Sequence, residues 1–299
     1  MTISDVEQSH ALRLDGKHVS KAILAEVGQE LATCWKGQPP KLVVLLVGND
    51  PASEVYVSHK MKASQKLGMT SETRRLPATI SEHELLDRLD SLNRDPDVHA
   101  ILVQLPLPGH INSQRVLEAI DPRKDVDGFH PLNMGQLLTG IEPVALPCTP
   151  AGMVRLLDYY DLSVAGKHAV VVGRSNIVGK PISLMLLHRH ATVTICHSRT
   201  PDLPHLLSQA DVVVAAIGRP NYVQADWVKP GAVVLDVGIN RMEDGSLCGD
   251  VEKAVVHRAS AVTPVPGGVG PMTIAMLMVN TMRLAQAQQG QTVKPWLMT

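Results

Sequence analysis

Tyr56 and Lys60 stand four residues apart in Ser53-Glu54-Val55-Tyr56-Val57-Ser58-His59-Lys60. This stretch follows an apolar run, Leu42 to Val47, and a turn-forming Gly48-Asn49-Asp50-Pro51. The order predicts a helix that opens at the carboxyl edge of a sheet. On that helix Ser53, Tyr56 and Lys60 fall at i, i+3 and i+7, and Tyr56 and Lys60 share one face, a turn apart. A phenol and an amine held together there can stack a flat substrate and move a proton beside it. Taken alone, the pair reads more simply as a solvated helix face with an incidental lysine. Further segments change that balance.

Val170-Val171-Val172-Gly173-Arg174-Ser175-Asn176-Ile177-Val178-Gly179-Lys180-Pro181 reads as a strand, a glycine turn and a helix start. Gly173 permits the tight turn, and Gly179 lets the helix approach sheet and ligand closely. The helix start offers unpaired N–H groups and a partial positive charge, both suited to phosphate. Only two glycines are present, six apart, so this is not the common three-glycine dinucleotide fingerprint, and a plain tight turn fits the spacing as well. The next strand ends Cys196-His197-Ser198-Arg199, where a fold selecting NAD places an acid against the ribose 2′-hydroxyl. No acid occurs there. A hydroxyl, Ser198, and a guanidinium, Arg174 with Arg199 nearby, suit a 2′-phosphate instead, which points to NADP; the alternative is that both arginines are merely solvated.

Stepping these residues into place takes a long chain. At 299 residues two domains are expected, and the apolar fraction of 44% suffices for sizeable cores. A net charge of −1 with interspersed acids and bases argues against nucleic acid or an anionic membrane as partner. No apolar run approaches the roughly 18 residues that span a bilayer, and polar Met1 to His10 is neither a secretory signal nor a transit peptide. Cys34, Cys148, Cys196 and Cys248 lie far apart with no ligand spacing, so they read as reduced thiols of a cytoplasmic protein rather than a disulfide frame or a metal site.

The first half alternates strand and helix signals: strand Leu42–Val47, helix Ser53–Leu67, strand Ser71–Leu76, helix Ser81–Arg94 with Ser81 and Glu84 as a capping box, strand Ala100–Leu105, and helix Asn112–Ile120. Such alternation implies a parallel sheet. The pattern breaks at Pro143-Val144-Ala145-Leu146-Pro147-Cys148-Thr149-Pro150, where Thr149 as cap and Pro150 in the first turn start a helix through Tyr160. The second half repeats the alternation with strands Ala169–Val172, Thr192–Cys196, Val212–Ile217 and Ala232–Val237, and Ala261–Thr263 as an edge strand. Pro271–Gln289 is helical by its spacing and is expected to pack back against the first domain. The expectation is therefore an α/β chain of two domains: an αβα domain with a parallel sheet over 1–148, completed by 271–299, and a Rossmann-type doubly wound domain over 149–270.

Five motifs in order resemble one family, the bifunctional 5,10-methylenetetrahydrofolate dehydrogenase/5,10-methenyltetrahydrofolate cyclohydrolase. They are S-E-V-Y-V-S-H-K at 53–60, V-Q-L-P-L-P at 103–108, K-D-V-D-G-F-H at 124–130, G-R-S-x-x-V-G-x-P at 173–181 and T-P-V-P-G-G-V-G-P-M-T at 263–273. The resemblance runs from Asp15-Gly16-Lys17 to the last helix. It implies that Lys60 is catalytic in the cyclohydrolase step, that Tyr56 packs on the folate ring system, and that Gln104 lies beside Lys60 and tunes it. By the same resemblance Asp127 hydrogen-bonds the pterin, Val103 and Leu105 flank Gln104 in the substrate site, and Pro266, Gly267, Gly268, Val269 and Gly270 line the substrate cleft. Gly173, Arg174, Ser175, Ser198 and Ile239 match the dinucleotide contacts, with NADP as cofactor and no metal. A cytoplasmic homodimer with a folate substrate, serving one-carbon metabolism and purine biosynthesis, is likewise implied.

The chemistry of these residue types agrees. A methylene carbon between two nitrogens loses hydride without a protein base, because an amine lone pair pushes it out, so dehydrogenation needs mainly orientation. Hydrolysis of the resulting cation does need proton transfers, and a lysine beside it can act as base and then acid. Gln104 is a neutral partner that would not hold Lys60 protonated as a carboxylate would. Asp125-Val126-Asp127-Gly128 alone is an ordinary Asp-Gly turn, and Pro266–Gly270 alone a flexible loop. Two other readings remain at this level: a nucleotide-binding sensor that lost its chemistry, against which the Tyr56, Lys60, Gln104 and Asp127 set argues, and a dehydrogenase of another small carbonyl compound such as a shikimate- or amino-acid-type substrate.

Overall fold

The structure, a computed structural model, describes residues 11–295; the polar stretch 1–10 and residues 296–299 lie outside the described residues. In chain order the first elements are β1 (Leu12–Arg13), α1 (Gly16–Cys34), β2 (Lys41–Val47), α2 (Pro51–Lys66), β3 (Thr70–Leu76), α3 (Glu82–Arg94), β4 (Ala100–Val103), α4 (Ser113–Glu118), α5 (Pro131–Leu138) and α6 (Cys148–Tyr159). Then come β5 (His168–Val172), α7 (Gly179–His188), β6 (Thr192–Cys196), α8 (Leu203–Leu207), β7 (Val212–Ala215), β8 (Val233–Asp236), β9 (Asn240–Arg241), β10 (Leu247–Cys248), β11 (Ala261–Val262) and α9 (Val269–Gln288). The chain divides into two compact units, one of Ser20–Gly152 with Thr273 onward, the other of the residues up to Val19 with Met153–Met272.

The unit containing Lys60 is built on a three-stranded parallel sheet in the order β3-β2-β4. β2 is central and buried over six of its seven residues, which explains its unbroken apolar run in place of an alternating one. Asp50 caps α2 by accepting from the Ser53 N–H at 2.8 Å, and Pro51 occupies the first turn, where its missing N–H costs nothing. α3 opens with the Ser81–Glu84 capping box. Its Leu85, Leu89 and Leu92 pack on Val43, Leu45, Ile101 and Val103 of the sheet, each such burial contributing roughly 1.5–3 kcal/mol.

The second unit carries a six-stranded parallel sheet in the order β6-β5-β7-β8-β11-β1, a doubly wound arrangement whose direction reverses at β5. β11 is not the edge strand expected from sequence, because β1 pairs outside it, Leu12 opposite Ala261. Residues 12–19 cluster with this unit: the Leu12 and Leu14 N–H groups donate to Ser260 and Val262 carbonyls at 2.7 and 2.9 Å. A two-residue strand has no periodicity to read. The helix α6 also begins at Cys148, so Thr149 sits inside the first turn, its hydroxyl 2.9 Å from that of Thr273. Among the described residues no helix is long and apolar enough to cross a membrane.

Candidate active site

α2 carries Lys60 into the protein: the residue is only 8% exposed, whereas Tyr56, one turn earlier, is 38% exposed. Lys60 Nζ donates to Gln104 Oε1 at 3.0 Å. Gln104 follows β4 directly, and its backbone N–H still donates to the Leu45 carbonyl of β2 at 2.9 Å. Its side-chain Nε2 donates to the Leu105 carbonyl at 2.7 Å, which orients the amide oxygen toward Lys60. Val103 is buried at the end of β4, and the Leu105–Pro106 peptide is cis. Burial pushes the Tyr56 hydroxyl up, so this ring acts as a neutral phenol.

Asp127 arrives by a different route. The Ile101 N–H donates to the Lys124 carbonyl at 2.8 Å, laying residues 124–126 alongside β4. Burial pushes the Asp127 carboxyl up, while the charge of Lys60 and a hydrogen bond from the Cys148 thiol pull it back. Lys60 and Asp127 are therefore electrostatic neighbours, and Gln104, bonded to Lys60, stands between Val103 and Leu105 at the carboxyl end of β4. Gly128 takes φ +70°, and a Cβ there would stand 2.7 Å from the Leu146 carbonyl carbon, so the turn after Asp127 requires glycine.

Three residues that sequence reasoning passed over hold this turn. Asp125 Oδ2 accepts from the His130 N–H at 2.8 Å and from Asn133 Nδ2 at 2.9 Å, and burial raises its carboxyl to about 6. Lys124 Nζ donates to the Leu92 and Asp95 carbonyls at 3.0 and 2.6 Å, closing the carboxyl end of α3. Asn280 Nδ2 donates to the Val126 and Leu146 carbonyls at 2.8 and 2.7 Å. An asparagine inside Met276-Leu277-Met278-Val279-Asn280 was the signal for it: a buried polar side chain in an apolar helix must have partners.

In the other unit the glycine loop sits at the switch point of the sheet. Gly173 has φ +128°, and a Cβ on it would stand 2.3 Å from the Ala216 carbonyl oxygen. A Cβ on Gly179 would stand 2.2 Å from the Gly173 oxygen. The two glycines thus make a cradle that any side chain would fill. Ser175 Oγ accepts from the Val178 and Gly179 N–H groups at 3.1 and 3.3 Å, which leaves its proton free to donate. Arg174 and Ser198 are exposed, each two residues beyond the register pair Val172–Cys196, so the cation and the hydroxyl flank one sheet edge. A dinucleotide phosphate fits this donor set and this backbone space. Ile239 stands apart from them, beyond β8 on the far side of β5.

The segment 266–270 belongs to the same unit as the glycine loop. The Val265–Pro266 peptide is cis and Gly267 takes φ +110°. The Lys17 N–H donates to the Gly267 carbonyl at 3.1 Å, and a Cβ on Gly16 would stand 1.7 Å from the Gly268 oxygen. Gly16-Lys17 and Gly267-Gly268 therefore pack backbone to backbone. Val269 is buried, and Gly270 borders the Ile239 side chain.

Comparison with known proteins gives a consistent result. Residues 14–127 match the tetrahydrofolate dehydrogenase/cyclohydrolase catalytic domain, and residues 147–289 match the NAD(P)-binding domain of the same family. The bifunctional protein FolD of Magnetococcus marinus is 56% identical over 276 residues, covering 91% of this chain and 96% of that protein. The crystal structure of the bifunctional FolD methylenetetrahydrofolate dehydrogenase/cyclohydrolase from Campylobacter jejuni superposes with a TM-score of 0.90 at 48% identity, covering 93% of this chain and 99% of that one. The Trypanosoma brucei dehydrogenase-cyclohydrolase, solved with NADP and an inhibitor, superposes with a TM-score of 0.88 at 38% identity over 93% of this chain and 98% of its own. With both domains matched in order and more than half of the residues shared with a full-length relative, the chain belongs to the tetrahydrofolate dehydrogenase/cyclohydrolase family.

Proposed function

We propose that Lys60 performs the proton transfers of methenyltetrahydrofolate hydrolysis, with Gln104 orienting it, Tyr56 stacking on the folate and Asp127 accepting from its aminopyrimidine edge. The chain is a bifunctional enzyme: it oxidises 5,10-methylenetetrahydrofolate to the 5,10-methenyl compound with NADP and hydrolyses that to 10-formyltetrahydrofolate. Bound at the Gly173 loop, NADP supplies the hydride acceptor. Ser175 and the α7 N-terminus hold its phosphates, and Arg174 and Ser198 read the 2′-phosphate.

One observation carries the assignment of Lys60, its 3.0 Å hydrogen bond to the Gln104 amide oxygen. An amide oxygen accepts from an ammonium and from a neutral amine alike, so the bond survives both states. The amine can take a proton as water adds at the bridging carbon and return one to the departing ring nitrogen. Dehydrogenation asks less of the side chains, since substrate nitrogen drives hydride out; Tyr56 and Asp127 orient the ring. Val103, Leu105 and, by the family resemblance, Pro266, Gly267, Gly268, Val269 and Gly270 are read as substrate-binding, and Ile239 as dinucleotide-binding. In this reading the folate-binding domain is 1–148 completed by 271–299, with residues 12–19 clustering with the dinucleotide domain, which is 149–270. The enzyme works as a cytoplasmic homodimer supplying one-carbon units to purine biosynthesis; the free, buried Cys148, Cys196 and Cys248 suit a reducing compartment.

Absorbance of the methenyl compound during turnover, followed with NADP and with NAD, tests both steps together. Accumulation that decays to 10-formyltetrahydrofolate with NADP supports the reading; an absent methenyl signal and no net turnover would refute it.

A further inference from the structure

Two buried aspartates of the dinucleotide unit touch no element of the chemistry described so far. Asp236 ends β8, and Asp250 lies two residues beyond β10. Asp236 Oδ1 accepts from the Gly238 and Asp250 N–H groups at 3.0 and 2.8 Å, and its Oδ2 from Val251 N–H at 3.0 Å. Asp250 Oδ2 accepts from Ile217 and Gly218 N–H at 2.7 and 3.0 Å, and its Oδ1 from Arg219 N–H and Asn240 Nδ2, each at 2.9 Å. Glycines make the room. A Cβ on Gly238 would stand 2.2 Å from Asp250 Oδ1, and one on Gly249 would stand 1.8 Å from Asp236 Oδ2.

What the carboxylates hold matters more than their burial. Residues 217–219 follow β7 and residues 238–240 follow β8, both at the carboxyl edge where an open α/β sheet binds its ligand. Ala216, which starts the first segment, is the residue whose oxygen leaves space only for glycine at 173. Ile239 lies between Gly238, tied to Asp236, and Asn240, tied to Asp250. Three consecutive N–H groups at 217–219 all point inward to one carboxylate, so Asp250 fixes the backbone of that loop from inside. Charge-assisted bonds of this kind are roughly twice as strong as neutral ones.

We infer that Asp250, backed by Asp236, is a positioning residue for the dinucleotide: from inside the protein it fixes the 217–219 and 238–240 loops that wall the cofactor on the side of β5 opposite Ser198. The inference rests on the assignment of the NADP site above. The bifunctional enzyme supplies its own control, because hydrolysis of added methenyltetrahydrofolate needs no dinucleotide chemistry.

Asp250→Asn replaces one acceptor atom by an NH2 group, so whichever way the amide turns, two of the four donors lose their partner. The expected result is at least a tenfold rise in KM for NADP and a fall in dehydrogenase kcat, with cyclohydrolase activity on added methenyltetrahydrofolate within twofold of wild type. An unchanged KM for NADP would overturn the role of Asp250. If Asp250→Asn loses both activities together, Asn240→Ala decides, since it removes a single bond of the cluster: a two- to fivefold rise in KM for NADP with cyclohydrolase intact supports the inference, and no rise overturns it. Wild-type protein that does not turn over with NADP would instead refute the site assignment itself, and with it this inference.

Discussion

Asn280 in α9 donates to the Val126 carbonyl at 2.8 Å, one residue before Asp127. The same amide nitrogen donates to Leu146, and its oxygen accepts the Leu146 N–H at 3.3 Å, so one buried side chain ties two loop segments together. The relation is structural, yet its consequence is chemical, because the Asp127 carboxyl is aimed by the backbone that Asn280 holds.

Asn280→Ala should therefore lower both stability and folate affinity. Leaving the Leu146 carbonyl and N–H without this partner, and the Val126 carbonyl with only the long contact from the Cys148 thiol, costs about 1–3 kcal/mol per lost bond, less where water enters. Thermal unfolding and the affinity of a folate-site inhibitor check this together. Affinity for NADP, whose proposed residues lie in the other unit, should stay within twofold; equal loss of both would make Asn280 a general stability residue.

Lys60→Met should abolish cyclohydrolase activity. It keeps the side-chain length and removes the group that hydrogen-bonds Gln104, and general acid–base groups typically contribute about 100- to 10,000-fold. Hydrolysis of methenyltetrahydrofolate is followed by loss of its absorbance against the uncatalysed background. Near wild-type hydrolysis would remove Lys60 from its assigned role. Some loss of dehydrogenation is also expected, because the proposed reading sets Lys60 beside the substrate.

Much of this site was legible because its residues obey local rules. Tyr56 and Lys60 are a turn apart on a helix that the spacing announces, although it opens at Pro51, two residues before the expected Ser53, and Gln104 ends an apolar run whose strand stops at Val103, two residues short of the expected Leu105. The parts that escaped are those whose meaning depends on a distant partner. Leu12-Arg13 is too short to carry a period and becomes a strand only because β11 offers a free edge. Lys124 lies in a functional-looking motif, but its ammonium closes α3, a fact fixed by where Leu92 and Asp95 end that helix. Asp236 and Asp250, fourteen residues apart, become a pair only through glycines that remove the intervening side chains.

A pH effect follows from Asp125. Burial raises its carboxyl from 3.8 to about 6, against the pull of the His130 N–H and Asn133. An acid whose folded value exceeds its unfolded value binds its proton more tightly when folded, so this group favours folding fully at low pH. Its contribution to stability falls as pH rises from about 4 to about 6 and is flat above. At about 1.4 kcal/mol per tenfold change in proton affinity, the whole effect is roughly 3 kcal/mol. Asp125→Asn removes the titration while its amide oxygen can still accept the two bonds that converge on Oδ2. Unfolding temperatures measured from pH 4 to pH 7 should converge or cross in the variant's favour as pH rises; parallel curves would show that Asp125 keeps an ordinary carboxyl.

Replacing Arg174 by Ala and Ser198 by Asp together should swing preference from NADP toward NAD. Both residues are exposed and stand two positions beyond the register pair Val172–Cys196, where the proposed reading puts the adenosine of the dinucleotide. In the wild type that edge offers a cation and a hydroxyl to a 2′-phosphate and no acid to a free ribose hydroxyl. The new carboxylate at 198 repels the phosphate of NADP and gives the 2′-hydroxyl of NAD an acceptor, so the change acts on both ligands in opposite directions. Removing the guanidinium also withdraws the proposed charge-assisted bond, worth about 1.5–3 kcal/mol, roughly ten- to a hundredfold in NADP affinity. Folate affinity should be nearly untouched, because Tyr56, Lys60, Gln104 and Asp127 belong to the other unit. The comparison to make is the NADP/NAD ratio of kcat/KM in the two proteins. A wild type that already prefers NAD, or a double variant that keeps the wild-type ratio, would mean that Arg174 and Ser198 do not read the phosphate, and the selecting group would then have to be sought at another position on the same edge, with Arg199 the nearest remaining cation.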